Sequence, residues 1–100
     1  MTTPELLERE HTLMTATARL DQLRMREALE DPPLGREEAL ELLALSELVA
    51  RKAAYGRQLT IRSARTAGAS WSQIGAALGT TKQAAWEAHT RWLEESAAAQ

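Results

Sequence analysis

A chain of 100 residues with no Cys, no Phe, a single Tyr and an apolar content dominated by Ala and Leu has almost nothing from which to build β-structure. The expected class is all-α, in one domain with a modest core. The absence of Cys excludes a disulfide framework and a thiolate zinc site, and no apolar run approaches the ~20 residues that a bilayer needs, so a cytoplasmic chain without leader or membrane anchor is expected.

The formal charge of −2 conceals a division along the chain. Residues 1–50 hold five Arg against eleven Asp or Glu, a net of −6, whereas residues 51–93 hold seven Lys or Arg against Glu87 alone, a net of +6. Such asymmetry points to a polyanion met by one part of the molecule and repelled by the other.

Thr3-Pro4-Glu5 supplies a hydroxyl cap, a proline at the first helical position and a carboxylate near the positive end of the dipole, so a helix should start there and run to about Glu30. Leu6, Leu13 and Leu20 fall seven residues apart, and Leu23 follows Leu20 by three. This stripe resembles a coiled-coil seam, and residues 1–34 are expected to pair two copies of the chain through it. Asp31-Pro32-Pro33 should stop the helix, because proline excludes the helical conformation before it and lacks the amide donor. Residues 35–68 read as the second arm of a helical hairpin. Glu37 and Glu38 favour its start, and Leu40, Leu42, Leu43, Leu45, Leu48 and Val49 give it a dense apolar pattern. Gly56 leaves two readings: one helix from about 36 to 67, or two joined near this glycine.

Residues 69–95 carry the most specific pattern. Ser70 and Gln73 have the spacing of a capping box, Ile74, Ala77 and Leu78 share a face of a short helix, and Gly79 suits its left-handed end. Thr81 can cap a second helix in which Ala85, Ala88, His89 and Trp92 recur on one side. Helices joined by so few residues must cross steeply, as in a helix-turn-helix. Nothing anchors residues 96–100, and they are expected to fray.

The runs Gly68-Ala69-Ser70-Trp71, Ile74-Gly75, Ala77-Leu78-Gly79 and Thr81-Lys82-Gln83-Ala84-Ala85-Trp86 together resemble the motif of small actinobacterial helix-turn-helix DNA-binding proteins. That resemblance covers about a quarter of the chain. Thr80 departs from it where an aliphatic residue usually follows the turn glycine, and Ala85 departs where Ile or Val usually packs the second helix.

The resemblance implies double-stranded DNA as partner, a second helix lying in the major groove, and a homodimeric, nucleoid-associated regulator of transcription that needs no cofactor. Thr81, Lys82, Gln83, Glu87 and Thr90 fall on or near the side opposite the apolar stripe and are the candidate readers of base edges. A Gln83 amide can pair with adenine N6 and N7, Lys82 can reach guanine or phosphate, and Glu87 can accept from cytosine N4. Trp86 stands at the border of the two faces; the bulk missing at Ala85 assigns it to the core, with contact to a thymine methyl or sugar as the alternative. Trp71 and Trp92 are assigned to the core. Arg57, Arg62, Arg65, Ser70 and Arg91 are candidate phosphate contacts, which orient a protein without reading sequence. The rival reading is a protein-interaction module that docks the same helical unit on a partner such as a sigma factor. Catalysis has no constellation to support it: His11 and His89 stand in no metal or nucleophile spacing, and paired glutamates such as Glu8 and Glu10 read as solvated helix faces.

Overall fold

The computed structural model of the protein describes residues 1–30 and 32–99, which form an all-α structure. Its helices are α1 (Pro4–Glu10), α2 (Leu13–Leu29), α3 (Arg36–Thr66), α4 (Trp71–Leu78) and α5 (Lys82–Ala98). Two compact units emerge, Met1–Ala54 and Tyr55–Gln100.

In the first unit, the helix expected to run unbroken to Glu30 is two helices. Thr12 interrupts it: its hydroxyl accepts the Thr15 N–H at 3.2 Å, and the Thr15 hydroxyl accepts the Thr12 N–H at 3.0 Å. This reciprocal cap satisfies two amides that a continuous helix would have bonded along its axis. The break also changes the phase of α1, so that Leu7 rather than Leu6 is buried. Leu7, Ala16 and Leu23 pack with Leu42, Ala44, Leu45 and Leu48, and Leu20, Leu34 and Val49 lean on that core. The seam expected to pair two chains is therefore divided. Leu23 is fully buried in the chain's own core and Leu20 packs against it, whereas Leu6 and Leu13 remain exposed.

Ion pairs ring this core. Arg19 grips Glu41 through two bonds of 2.9 Å, Arg26 pairs with Glu38, and Arg51 joins Glu47 at 2.8 Å and Glu5 at 3.1 Å. The guanidinium of Arg19 holds the Glu41 carboxyl below its ordinary range, and Arg26 does the same to Glu38. At the end of α2, Glu30 takes a left-handed conformation at φ 55°. Of the expected breaker, Pro32 and Pro33 lie between α2 and α3, and Asp31 lies outside the described residues. The two readings left open by Gly56 resolve to one: α3 runs through it without a break over 31 residues.

In the second unit, each junction is made by local chemistry. Gly68, at φ 94°, ends α3, with the Ala69 N–H bonded to the Ala64 carbonyl at 2.9 Å. Ser70 and Gln73 exchange the expected capping bonds, 3.1 Å from the Gln73 N–H to the Ser70 hydroxyl and 2.8 Å from the Ser70 N–H to the Gln73 side chain. Gly79, at φ 72°, ends α4, and the Thr80 N–H reaches the Gly75 carbonyl at 2.8 Å. Thr81 then caps α5 by accepting the Ala84 N–H at 3.0 Å. The helix continues through Ala98, so Ser96, Ala97 and Ala98 are helical where fraying was expected; Gln100 lies outside the described residues. Ile61, Ile74 and Ala85 form the core, and Ala64, Ala69 and Trp71 pack on it. Gly75 is buried where the chain returns: a Cβ there would stand 2.8 Å from the Thr81 carbonyl carbon and 2.9 Å from the Lys82 nitrogen. Only glycine permits so close an approach.

Candidate nucleic-acid interface

The outer surface of the second unit is set by which face of α5 the core takes. Ala85 and His89 are buried and Trp92 is half-buried, a spacing of four and three residues that leaves Lys82, Gln83, Trp86, Glu87 and Arg91 exposed. Thr90 is half-buried. Trp86 is 46% exposed, which corrects its assignment to the core. Its position on the helix lies away from the Ala85–His89 face, where Ile61 and Ile74 pack with Ala85. Ala88, expected on the inner side, is exposed as well.

Gln83 is not free to turn. Its amide nitrogen donates to the Glu87 carboxylate at 2.8 Å, one turn along the helix. The carbonyl oxygen and the second N–H remain, which is the donor and acceptor pair that an adenine edge requires. Thr81 and Ser70 are exposed, but each hydroxyl already accepts a backbone amide in its cap.

The cations separate into two sets that sequence could not distinguish. Arg51 and Lys52 belong to the first unit, where Arg51 joins Glu5 and Glu47 and Lys52 stands 3.9 Å from Glu8. Arg57, Arg62, Arg65, Lys82 and Arg91, all in the second unit, make no ion pair among the described residues. Two of these are held by aromatic faces. The Arg62 guanidinium lies 5.6 Å from the centre of the Trp92 ring, and that of Arg65 lies 5.3 Å from Trp71 while donating to the Ala69 carbonyl at 2.9 Å. Stacking of this kind is worth about 0.5–1 kcal/mol at exposed sites and fixes the guanidinium plane without consuming its outer N–H groups. Arg57 sits apart from this pair, on the side of α3 that carries Thr60 and Ala64.

Between the two stacked tryptophans stands His89, which sequence reasoning placed on the inner face without giving it a role. It is only 6% exposed, with its ring 5.7 Å from both Trp71 and Trp92 and its Nδ1 2.8 Å from the Gln58 side-chain oxygen. Burial, and then the nearby Arg62 charge, push its pKa down, so the neutral ring donates from Nδ1 to Gln58. Tyr55 meets Trp92 edge-on at 6.0 Å and extends the row. The partner Gln58 is 31 residues distant, and no local pattern announces it. The buried phase of His89, midway between Ala85 and Trp92, is the one sequence signal that could have.

Leu78 stands between two depressions, the first apolar and the second mixed, with Gln58 and Thr80 also on its wall. One, of about 280 Å³, is lined by Ile61, Ala64, Ile74 and Ala77; the other, of about 300 Å³, by Ala84, Ala85 and Ala88; and Arg57 borders both. Ala77 and Leu78, expected to be inward, are thus exposed walls. Among the described residues no three His, Asp or Glu side chains are grouped to hold a metal ion, and no helix is long and apolar enough to cross a membrane. Comparison with known protein families, with characterised proteins and with solved structures finds no match to this chain.

Proposed function

We propose that the second unit binds double-stranded DNA as a helix-turn-helix, with α4 and α5 as its two helices and α5 as the element that enters the major groove, and that the protein is a DNA-binding regulator. The observation that carries this reading is the set of five cations without carboxylate partners among the described residues, all on the unit whose short helix is joined to α5 by three residues. In this reading Arg62 and Arg65, oriented by Trp92 and Trp71, neutralise phosphates; Lys82 and Gln83, in the first turn of α5, face base edges; and Glu87 orients the Gln83 amide. Trp86 lies exposed one turn after Lys82 and is placed to touch a thymine methyl or a sugar.

Substitutions should separate holding from reading. Arg65→Ala should weaken all duplexes alike and lower the slope of log affinity against log salt by about 1 for each protomer, because a phosphate contact carries no sequence information. Gln83→Ala should cost about 1–3 kcal/mol on a selected site and leave random duplexes nearly unaffected. A binding titration over a series of salt concentrations, on selected and random duplexes, checks both. Equal losses on the two kinds of duplex would remove Gln83 from the reading face.

The apolar depression lined by Ile61, Ile74, Ala77 and Leu78 favours a second reading, in which the unit docks on a protein. Absence of any salt-sensitive duplex binding would give that reading precedence.

A further inference from the structure

We propose that the outward face of the first half of α3 is a two-fold interface, occupied by the same face of a second copy of this chain. Leu40 and Leu43 are 44% and 68% exposed there, on the side of α3 turned away from the buried Leu42, Leu45 and Leu48, with the buried Ala44 at its border. Four residues before Leu40 stands Arg36, and four residues after Leu43 stands Glu47, both exposed. The order Arg36, Leu40, Leu43, Glu47 has spacings of four, three and four residues. It is symmetric in position and opposite in charge at its two ends.

That pattern has one self-complementary arrangement. When two such helices pack antiparallel about a two-fold axis, Leu40 meets the partner's Leu43, and Arg36 meets Glu47 of the partner subunit; the symmetry operation then repeats both contacts. A parallel pair would set Arg36 beside its own image and Glu47 beside its own, so charge selects the antiparallel form. Arg36 makes no ion pair among the described residues, and as the first residue of α3 it stands at the positive end of the helix dipole, where a cation is disfavoured. Glu47 gives Oε1 to Arg51 and keeps its other oxygen for a second cation. Ala50, exposed three residues beyond Glu47 on the same face, is small enough for the helices to approach. This inference replaces the seam read from Leu6, Leu13, Leu20 and Leu23, whose inner members the chain's own core consumes. It goes beyond the DNA reading and does not rest on it; a dimer would give a DNA-binding unit its second half-site.

Sedimentation equilibrium of the full chain in the absence of DNA tests it. The wild type should show a monomer–dimer equilibrium at micromolar concentrations, and Leu43→Glu should be monomeric with unchanged helical content, because Leu43 touches solvent rather than the core. Arg36→Glu and Glu47→Arg should each raise the dimer dissociation constant about tenfold or more, since every dimer loses two pairs and gains two repulsions. The double variant R36E/E47R should return to within a few fold of wild type. Both Glu47→Arg and the double variant lose the bond to Arg51, so recovery in the second can come only from the contact between copies. A wild type that stays monomeric, a dimer indifferent to Leu43→Glu, or a double variant no better than either single one would each overturn the proposal. None of these results depends on whether DNA is bound.

Discussion

The two units use charge in opposite ways. In Met1–Ala54, five of the seven cations are tied to carboxylates, in a ring around a core of leucines. In Tyr55–Gln100 no ion pair occurs among the described residues; side-chain caps, two left-handed glycines and a row of stacked rings hold that unit instead. A unit held by a small apolar core, caps and aromatic stacking, with no ion pair among the described residues, leaves its cations available to an outside anion. One that pairs them internally does not.

The largest effects should come from the two cores, and they should differ. Leu45→Ala removes a fully buried side chain enclosed on all sides and should cost about 3–5 kcal/mol. Ile61→Ala should cost nearer 2 kcal/mol, because the depression beside it lets the site relax. Urea unfolding followed by circular dichroism gives both values. A smaller contrast lies in two glycines of the second unit. Gly75→Ala should destabilise by about 1–3 kcal/mol, since its Cβ would press on the backbone of Thr80, Thr81 and Lys82. Gly56→Ala should stabilise by about 0.5–1 kcal/mol, as nothing lies within 4 Å of a Cβ in the middle of α3. The same unfolding experiment should show shifts of opposite sign.

Acid should separate the units most finely. His89 is kept neutral when folded, so below its ordinary value of 6.5 the unfolded chain takes up a proton more readily than the folded one. Stability of the second unit is therefore complete above that pH and declines below it. Glu38 and Glu41 act in the same direction but lower on the scale: their carboxylates, held low by Arg26 and Arg19, contribute stability that persists above 4.5 and fades as pH falls further. All three tryptophans lie in the second unit, so their fluorescence should respond as pH falls below 6.5, ahead of any loss of helix signal from the first. His89→Gln should abolish that early response, and an early response that survives the substitution would remove His89 as its source.

What was legible in the sequence was local. Ser70 with Gln73, Gly79 and Thr81 act within four residues of themselves, and α4, its turn and the start of α5 were placed by them. The break at Thr12 was missed because its partner is Thr15, where a capping box usually shows Glu or Gln. A seven-residue leucine stripe continued through that break places Leu23 on an outer seam, whereas the phase change at Thr12 turns Leu7 and Leu23 into one core. The division of the basic residues into paired and unpaired sets depended on contacts between distant positions, such as Arg51 with Glu5, that no spacing reveals. The same holds for His89 and Gln58.

The break at Thr12 leaves α1 as seven residues with one buried side chain, Leu7, and two carboxylates, Glu5 and Glu8, reaching Arg51 and Lys52. A helix of that length has little cohesion of its own. Leu7 anchors it in the leucine core, and the exposed ion pairs to Arg51 and Lys52 add a coulombic part that dissolved salt weakens. Local opening of α1, which would bare the apolar side chains around Leu7 without unfolding α2 or α3, should therefore become more frequent as ionic strength rises, and hydrogen exchange of the α1 amides in a salt series reads it.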